Sequence, residues 1–314
     1  MTFPNERANP HLTVENLTKT FGEKVAVQDV SFAVYPGEVF GLLGPNGAGK
    51  TTTIRLILDI FPADAGTIAV LGGRMNEARM NRIGYMPEER GLYANMRVLD
   101  CLTYMGALKG LSRREARRCA RTYLERMELA DQERARISTL SRGMTQKVQV
   151  IAAVLHEPDL LIIDEPFANL DPLNAQLVRA IILELRQKGH AVIMTSHQMA
   201  LVESLCDRIA LMHDGRFVLQ GTLADVRRQF ARNTLYVSGS GRLEQALPGV
   251  RHVEQRTASD WYLTLEPGAP PQAVAQALLR NGQFVLDRFE VAMPRLDEIF
   301  VQVVRNAAPG ETAP

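Results

Sequence analysis

Short apolar runs alternate with helical patterns along the first part of the chain. The runs Glu38–Leu43, Leu160–Asp164 and Ala191–Thr195 are nearly continuous in hydrophobic residues, which is typical of strands that a parallel sheet buries on both faces. Lys50–Ile60 follows the first run and has apolar residues at helical spacing. This alternation of strands and helices predicts an α/β domain over residues 11–225.

A helical and strongly charged stretch interrupts this pattern between about residue 90 and residue 156. Arginine and glutamate are mixed there with Ala, Leu and Met, a composition that favours surface helices. We therefore expect a helical subdomain that is inserted into the α/β domain.

A different pattern begins near residue 233 and continues to residue 306. Three apolar or alternating runs predict strands, namely Thr234–Gly241, Trp261–Leu265 and Phe284–Val291. Pro271–Asn281 has helical spacing. We expect a small C-terminal α+β domain here, followed by a disordered tail over residues 307–314, which are rich in Pro, Gly and Ala.

The composition disfavours several classes of protein. The 314 residues include 36 Lys and Arg against 35 Asp and Glu, so the overall charge does not favour nucleic acid as a partner. Three cysteines without Cys-x-x-Cys spacing indicate buried thiols in a reducing compartment. No apolar stretch reaches the roughly 20 residues of a membrane-spanning helix, and the N-terminus lacks the apolar core of a secretory signal. We expect the chain to stay in the cytoplasm.

A glycine-rich segment lies between the first predicted strand and the helix that follows it. Its sequence, GPNGAGKTT, fits Gly-x-x-x-x-Gly-Lys-Thr, the pattern of a phosphate-binding loop. Glycines let successive N–H groups point at phosphate oxygens, and the helix N-terminus adds a positive field. We expect Lys50 to reach the β- and γ-phosphates of ATP and Thr51 to bind Mg²⁺. The residues expected to hold the nucleotide are Gly44, Pro45, Asn46, Gly47, Ala48, Gly49, Lys50, Thr51 and Thr52.

Polar side chains follow the other two apolar runs. Asp164 ends the run LLIID, at the edge of the sheet where ligands of open α/β sheets bind, and its carboxylate is expected to hold Mg²⁺. Glu165 comes next and can polarise an attacking water. His197 follows the run AVIMT, and a neutral imidazole there could hydrogen-bond the γ-phosphate or its water.

The order of these motifs resembles that of the ATP-binding cassette (ABC) ATPases. The diagnostic element is LSRGMTQK at Leu140–Lys147, which is similar to the family's LSGGQ signature but has Arg142 and Met144 in place of Gly and Gln. In the family, this segment begins a helix and closes over the γ-phosphate that the opposing subunit holds. The resemblance thus implies that Ser141 and Gly143 face the nucleotide of a partner, a role that suits a helix N-terminus.

The resemblance covers about residues 12–223 and implies roles for four more side chains. Phe21 falls where an aromatic ring stacks on adenine, and Asp171 falls in the loop that meets the partner subunit. His197 matches the family's switch histidine. Glu88 stands where the family has a glutamine that touches Mg²⁺ and relays to the membrane partner, and a carboxylate can still bind that ion.

The resemblance also implies a fold, an activity and partners. The fold is a P-loop cassette with a helical subdomain, followed by a small α+β domain. EERGLY at Glu88–Tyr93 and MPRLDEIFVQVV at Met293–Val304 resemble the ATP-binding subunits of drug-resistance and sodium-extrusion exporters. Such a subunit hydrolyses ATP with Mg²⁺ and pairs with an identical or a related ATP-binding subunit. It powers separate transmembrane permease subunits from the cytoplasmic face of the cell membrane, with no nucleic acid partner expected.

Two other functions stay open at this point. A cassette ATPase that acts on nucleic acid or ribosomes would generally carry two cassettes, coiled-coil arms or zinc modules, which the sequence does not show. A P-loop kinase for a small molecule would not need the segment Leu140–Gly143. Such a kinase should tolerate the loss of Ser141, whereas a cassette should lose turnover and keep ATP binding.

Overall fold

The computed structural model describes residues 9–89, 91–230, 234–241, 243, 247–266, 268–280, 284–292 and 294–307. These residues form two compact units. The first takes the described residues up to Leu223 together with Ala307, and the second takes those of Ala224–Asn306.

The first unit is built from two sheets and their helices. Its strands are β1 (Leu12–Phe21), β2 (Lys24–Val34), β3 (Val39–Leu43), β4 (Ala65–Val70), β5 (Ile83–Met86), β6 (Leu160–Asp164), β7 (Ala191–Thr195), β8 (Arg208–His213) and β9 (Arg216–Thr222). Its helices are α1 (Lys50–Ile57), α2 (Glu77–Met80), α3 (Val98–Leu108), α4 (Arg113–Arg126), α5 (Arg142–Val154), α6 (Pro172–Gln187) and α7 (Met199–Leu205), and α8 (Leu223–Phe230) begins at the boundary between the units.

The larger sheet has the order β5-β6-β7-β3-β8-β9 and is parallel except for β9, which runs antiparallel to β8. Every residue of β3, β6 and β7 is buried, as their continuous apolar pattern predicts. The predicted strand at Glu38–Leu43 begins one residue later in the structure. The Glu38 carboxylate instead accepts hydrogen bonds from the Tyr35 N–H at 2.8 Å and from Arg208 at 3.1 Å.

A second, antiparallel sheet has the order β2-β1-β4. Apolar side chains from both sheets and from α1 form one continuous core, whose removal from water is the main favourable contribution to folding. The rings of Phe32 on β2 and Phe40 on β3 stack within this core, with centroids 5.1 Å apart. The core fixes the carboxyl end of β3 relative to α1, which is where the phosphate loop lies.

Three helices, α3, α4 and α5, pack together in the region where we expected a helical subdomain. Gly106 makes this packing close, because a Cβ at this position would lie 2.6 Å from Leu155 Cδ1 and 2.9 Å from Ala116 Cβ. Helix α4 begins with a capping box, in which Ser112 and Glu115 satisfy each other's backbone N–H groups. The predicted fold class, an α/β cassette with a helical subdomain, is confirmed.

Among the described residues, the second unit contains most of α8, a four-stranded antiparallel sheet and two further helices. Its strands are β10 (Thr234–Gly241), β11 (Val250–Gln255), β12 (Asp260–Leu265) and β13 (Phe284–Val291), in the order β11-β12-β10-β13, and the two further helices are α9 (Pro271–Arg280) and α10 (Leu296–Ala307). Trp261, Leu263 and Val274 are among the side chains of its core.

The prediction for this unit differed from the structure at three places, the first of which is β12, which begins at Asp260, one residue before the predicted strand. Strand β11 was missed, because its side chains are exposed or half-buried and it lies at a sheet edge. Ala307, which we expected to begin the tail, is the last residue of α10. The rest of that tail, residues 308–314, and Asn281 of the predicted helix lie outside the described residues. Within the described ranges, the helices are too short or too polar to cross a bilayer.

Candidate functional site

The phosphate loop turns between the end of β3 and the start of α1. Gly44, Gly47 and Gly49 have φ values of 148°, 80° and 110°, a region that side chains disfavour. A Cβ on Gly44 would lie 2.3 Å from the carbonyl oxygen of Met212, and one on Gly49 would lie 2.4 Å from that of Ala26. Glycine is therefore required at both positions by backbone conformation and by space.

Hydrogen bonds from one backbone N–H and one ammonium hold the remaining residues of the loop. Ala48 is buried and donates its N–H to the Pro45 carbonyl at 3.2 Å, whereas Asn46 is exposed at the tip. Lys50 Nζ donates to the carbonyls of Gly44 at 2.8 Å and Pro45 at 3.0 Å. The half-buried Thr52 lies within the first turn of α1. This turn begins after a glycine that supplies no side-chain cap, so its N–H groups suit an anionic ligand.

The charges of three carboxylates act on the Lys50 ammonium. Burial lowers the pKa of Lys50, and the negative charges of Glu165, Asp164 and Glu88 act in the opposite direction. Glu88 is exposed and follows β5. The predicted phosphate-binding lysine and the three predicted acidic residues are thus close enough for their charges to interact.

Asp164, the last residue of β6, is only 2% exposed and is held by two hydroxyl groups. Thr51 Oγ1 donates to Asp164 Oδ2 at 3.4 Å, and Thr195 Oγ1 donates to the other carboxylate oxygen. Thr195 ends β7 and lies directly opposite Asp164 in the parallel register. The structure therefore brings the carboxylate to the start of α1, beside the phosphate loop.

Glu165 follows with a left-handed backbone, φ 51°. Its N–H donates to Thr195 Oγ1 at 3.0 Å, and its carbonyl accepts from Gln146 Nε2 at 2.9 Å. Its carboxylate Oε2 lies 3.0 Å from His197 Nδ1. Burial raises the pKa of Glu165, and the hydrogen bond with His197 opposes this rise. Glu165 is thus held at its backbone N–H, its carbonyl and its carboxylate, and the carboxylate stands next to an exposed imidazole.

The signature segment, Leu140–Lys147, contains the cap and the first residues of α5. Ser141 is exposed and caps α5 by accepting the Met144 N–H at 3.2 Å. A Cβ on Gly143 would lie 3.1 Å from the Asn169 carbonyl oxygen of the same chain. Asp171 is also exposed and caps α6. The signature segment therefore lies next to the loop before α6, and each has an exposed residue, Ser141 and Asp171.

Phe21, the expected adenine platform, has the exposure that stacking needs. Its ring is 44% exposed, packs edge-on against Phe61 with centroids 5.5 Å apart, and has Lys19 Nζ 5.4 Å from its centroid. The ring thus has two fixed neighbours and keeps nearly half of its surface exposed.

Two residues of this site were missed by sequence reasoning. Thr195 holds both Asp164 and the Glu165 N–H, and Gln146 holds the Glu165 carbonyl. The signal for Thr195 was a hydroxyl at the end of a wholly apolar strand that neighbours the acidic one. The signal for Gln146 was weaker, because a polar residue on a helix is ordinary until its burial is known.

The donor set around Asp164 fits Mg²⁺. This ion prefers hard oxygen ligands and usually takes one or two carboxylates together with phosphate oxygens. A hydroxyl and a carboxylate lie 3.4 Å apart here at the mouth of the phosphate loop. Thr51 and Asp164 are therefore the residues that would hold the ion, with Glu88 as a further carboxylate whose charge acts on Lys50.

Comparisons with known proteins bear on this geometry. Residues 27–168 match the family described as ABC transporter, and residues 221–304 match the family described as ATP-binding protein DrrA1-3-like, C-terminal domain. The chain is 39% identical over 295 residues to YhaQ of Bacillus subtilis (strain 168), an uncharacterized ABC transporter ATP-binding protein. The aligned residues cover 93% of this chain and 98% of that protein.

Two further comparisons agree with this. The linearmycin resistance ATP-binding protein LnrL of Bacillus subtilis (strain 168) is 34% identical over 303 residues, which cover 93% of this chain and 97% of that protein. A solved structure described as the ATP binding subunit of an ABC transporter has a TM-score of 0.66 and 35% identity, covering 70% of this chain and 92% of that one. The chain therefore belongs to the ATP-binding subunits of ABC transporters, which bind and hydrolyse ATP and work with transmembrane components.

Proposed function

We propose that this chain hydrolyses ATP in a site whose reactive half is the group of Lys50, Thr51, Asp164, Glu165 and His197. The observation that carries the proposal is the position of the two carboxylates. Asp164 reaches the first turn of α1 through Thr51, and Glu165 stands one residue further with its carboxylate against an imidazole. A phosphate group seated in the loop would have its terminal oxygens at this edge of the sheet.

The chemistry follows from the charges. Lys50 and the N-terminus of α1 stabilise the negative charge of the β- and γ-phosphates. The Glu165 carboxylate accepts a proton from water as the water oxygen attacks the γ-phosphorus, and the bond to the bridging oxygen breaks to leave ADP. His197 donates to the Glu165 carboxylate and orients it. Bound Mg²⁺, held by Thr51 and Asp164, would neutralise phosphate charge during this transfer.

The exposed signature segment supports a working pair of subunits. Ser141 is exposed and Gly143 is half-buried at the N-terminus of α5, beside the loop that carries Asp171. A second ATP-binding subunit, identical or related, would place its own nucleotide against this surface. ATP would then close the pair, and loss of phosphate would reopen it.

We further propose that the pair powers an exporter from the cytoplasmic face of the cell membrane. This is supported by the relative named for linearmycin resistance and by the DrrA-like C-terminal match. The helical subdomain offers a surface for a transmembrane partner. Tyr93 and Tyr104 form an exposed edge-to-face pair with centroids 5.5 Å apart, and the exposed Leu108 lies one turn further on α3.

The experiment is the Glu165→Gln variant of the full chain. Carboxamide and carboxylate have the same shape, so ATP binding should persist while kcat falls by about 10²–10⁴-fold, the usual contribution of a general base. Light scattering with ATP and Mg²⁺ should show that a dimer of this variant accumulates. Hydrolysis at the wild-type rate would show that Glu165 is not the base.

A further inference from the structure

Helix α5 has an exposed first residue and buries a row of polar side chains from Thr145 onward. Ser141 and Arg142 are exposed, whereas Thr145, Gln146 and Gln149 are buried. Burial of a polar group without a partner costs free energy, so each such group on the helix should hold something specific. The partners of the two glutamines lie in different loops of the nucleotide site.

Gln146 and Gln149 are three residues apart and therefore lie on the same helix face. Gln146 is 6% exposed and donates Nε2–H to the Glu165 carbonyl at 2.9 Å. Gln149 is 5% exposed and donates Nε2–H to the Glu89 carbonyl at 3.0 Å. One helix face thus holds the backbone at the proposed base and also the backbone beside Glu88.

The contact with Glu165 falls where the backbone needs support. Glu165 has φ 51°, a conformation that costs free energy for a residue with a side chain and persists only when its surroundings enforce it. The Thr195 hydroxyl enforces it at the N–H, and Gln146 enforces it at the carbonyl. These two bonds set the direction in which the Glu165 side chain leaves the backbone.

We propose that Gln146 is a positioning residue for the hydrolysis reaction, which acts by fixing the Glu165 carbonyl from α5. The proposal rests on the proposed role of Glu165 as the base. Because Ser141 caps the same helix, the direction of the carboxylate is tied to the segment that faces the partner's nucleotide. A displacement of a reacting group by about 1 Å can lower the rate by two orders of magnitude, so this single bond can affect catalysis measurably.

The test uses Gln146→Met in the full chain, since Met has nearly the shape of Gln but no N–H donor. We expect kcat to fall about tenfold while KM for ATP stays within about twofold, the pattern of an interaction that acts only on the transition state. Gln146→His, whose Nε2–H can reach nearly the same point, should restore most of kcat. Wild-type kcat in Gln146→Met, or no rescue by His, would overturn the proposal.

Two comparison variants separate positioning from a general effect on folding. Gln149→Met removes the same amide from the same helix face but not the contact with Glu165, and Gln187→Met makes the same change at an exposed position. We expect a clearly smaller loss of kcat in Gln149→Met and none in Gln187→Met. Equal losses of kcat in Gln146→Met and Gln149→Met that track the melting temperature would show a structural role instead.

The Glu165→Gln background distinguishes this inference from the function on which it rests. If Gln146 acts through Glu165, adding Gln146→Met to Glu165→Gln should cause no further loss of kcat, because residues that act as a unit are not additive. A further tenfold loss would overturn the role of Gln146 alone. Wild-type hydrolysis by Glu165→Gln would overturn the role of Glu165 itself.

Discussion

The two parts of the nucleotide site in this chain differ in how completely they are built. Hydroxyl groups from α1 and β7 hold the Asp164 carboxylate, and the His197 imidazole lies against the Glu165 carboxylate. An amide from α5 holds the Glu165 backbone, and both carboxylates are largely removed from water. Around Ser141, the start of α5 is exposed at Ser141 and Arg142, and the serine hydroxyl serves as a helix cap. The first part is organised by its own chain, whereas the second presents donors to something outside it.

This difference separates two physical tasks. A base and a phosphate loop must be held before the reaction, because electrostatic stabilisation depends on groups that do not need to reorganise. A surface that closes over a ligand must instead be free to approach and leave. The buried and exposed parts of α5 divide these tasks within one helix.

The largest effect on ATP binding should follow a change in the buried part. Lys50→Met removes the ammonium and with it the equivalent of one charge-assisted hydrogen bond to phosphate, worth about 1.5–3 kcal/mol. We expect ATP affinity to fall by roughly ten- to a hundredfold in a fluorescence titration. Ser141→Ala in the same titration should bind as wild type, and unchanged affinity in Lys50→Met would contradict the phosphate-loop assignment.

A pH series tests the burial of Glu165. Its pKa is raised above the ordinary value of 4.5 by burial, and the base must be ionised to accept a proton. As the pH falls through this raised pKa, kcat at saturating ATP should fall about tenfold per pH unit, starting at a higher pH than an exposed glutamate would allow. The Ser141→Ala variant should show the same loss of kcat at low pH, and Glu165→Gln should not. If Glu165→Gln still loses kcat at low pH, the titrating group is not Glu165.

A smaller effect should follow a change in the exposed part. Ser141→Ala removes a hydroxyl from the surface that faces the partner's nucleotide, and we expect the rate of hydrolysis to fall about tenfold, the equivalent of one hydrogen bond of about 1.4 kcal/mol. The variant also loses a helix cap worth about 1 kcal/mol. Ser112→Ala, which removes the cap of α4, controls for stability and should hydrolyse ATP normally. Wild-type hydrolysis in Ser141→Ala would favour the kinase alternative.

The sequence predicted the buried strands well, because burial on both faces leaves a continuous apolar run. β6 and β7 have the predicted bounds, and β3 differs by one residue. Strand β11 could not be found, because an exposed edge strand is held by backbone hydrogen bonds and needs no apolar pattern. The roles of Gln146 and Thr195 could not be predicted either, because their contacts join residues that are 19 and 31 positions apart in the sequence.

The spacing of residues in the sequence also cannot show whether a group completes the nucleotide site of its own chain or the site of a partner chain. The phosphate loop and the acidic strand are each local patterns, and the sheet register brings them together within one chain. The signature segment is equally local, but nothing in its spacing distinguishes a site in its own subunit from one in a partner. Its exposure beside Asn169 and Asp171 supports the second possibility.

Mixing two inactive variants tests this division most directly. Lys50→Met disables the phosphate loop and leaves the signature segment intact, and Ser141→Arg does the reverse by placing a bulky side chain on the closing surface. In a mixed pair, one site combines the intact half of each chain, so an equal mixture should recover about a quarter of wild-type hydrolysis if the pair is symmetric and the chains assort freely. A mixture that stays as inactive as its components would show that each site is completed within a single chain.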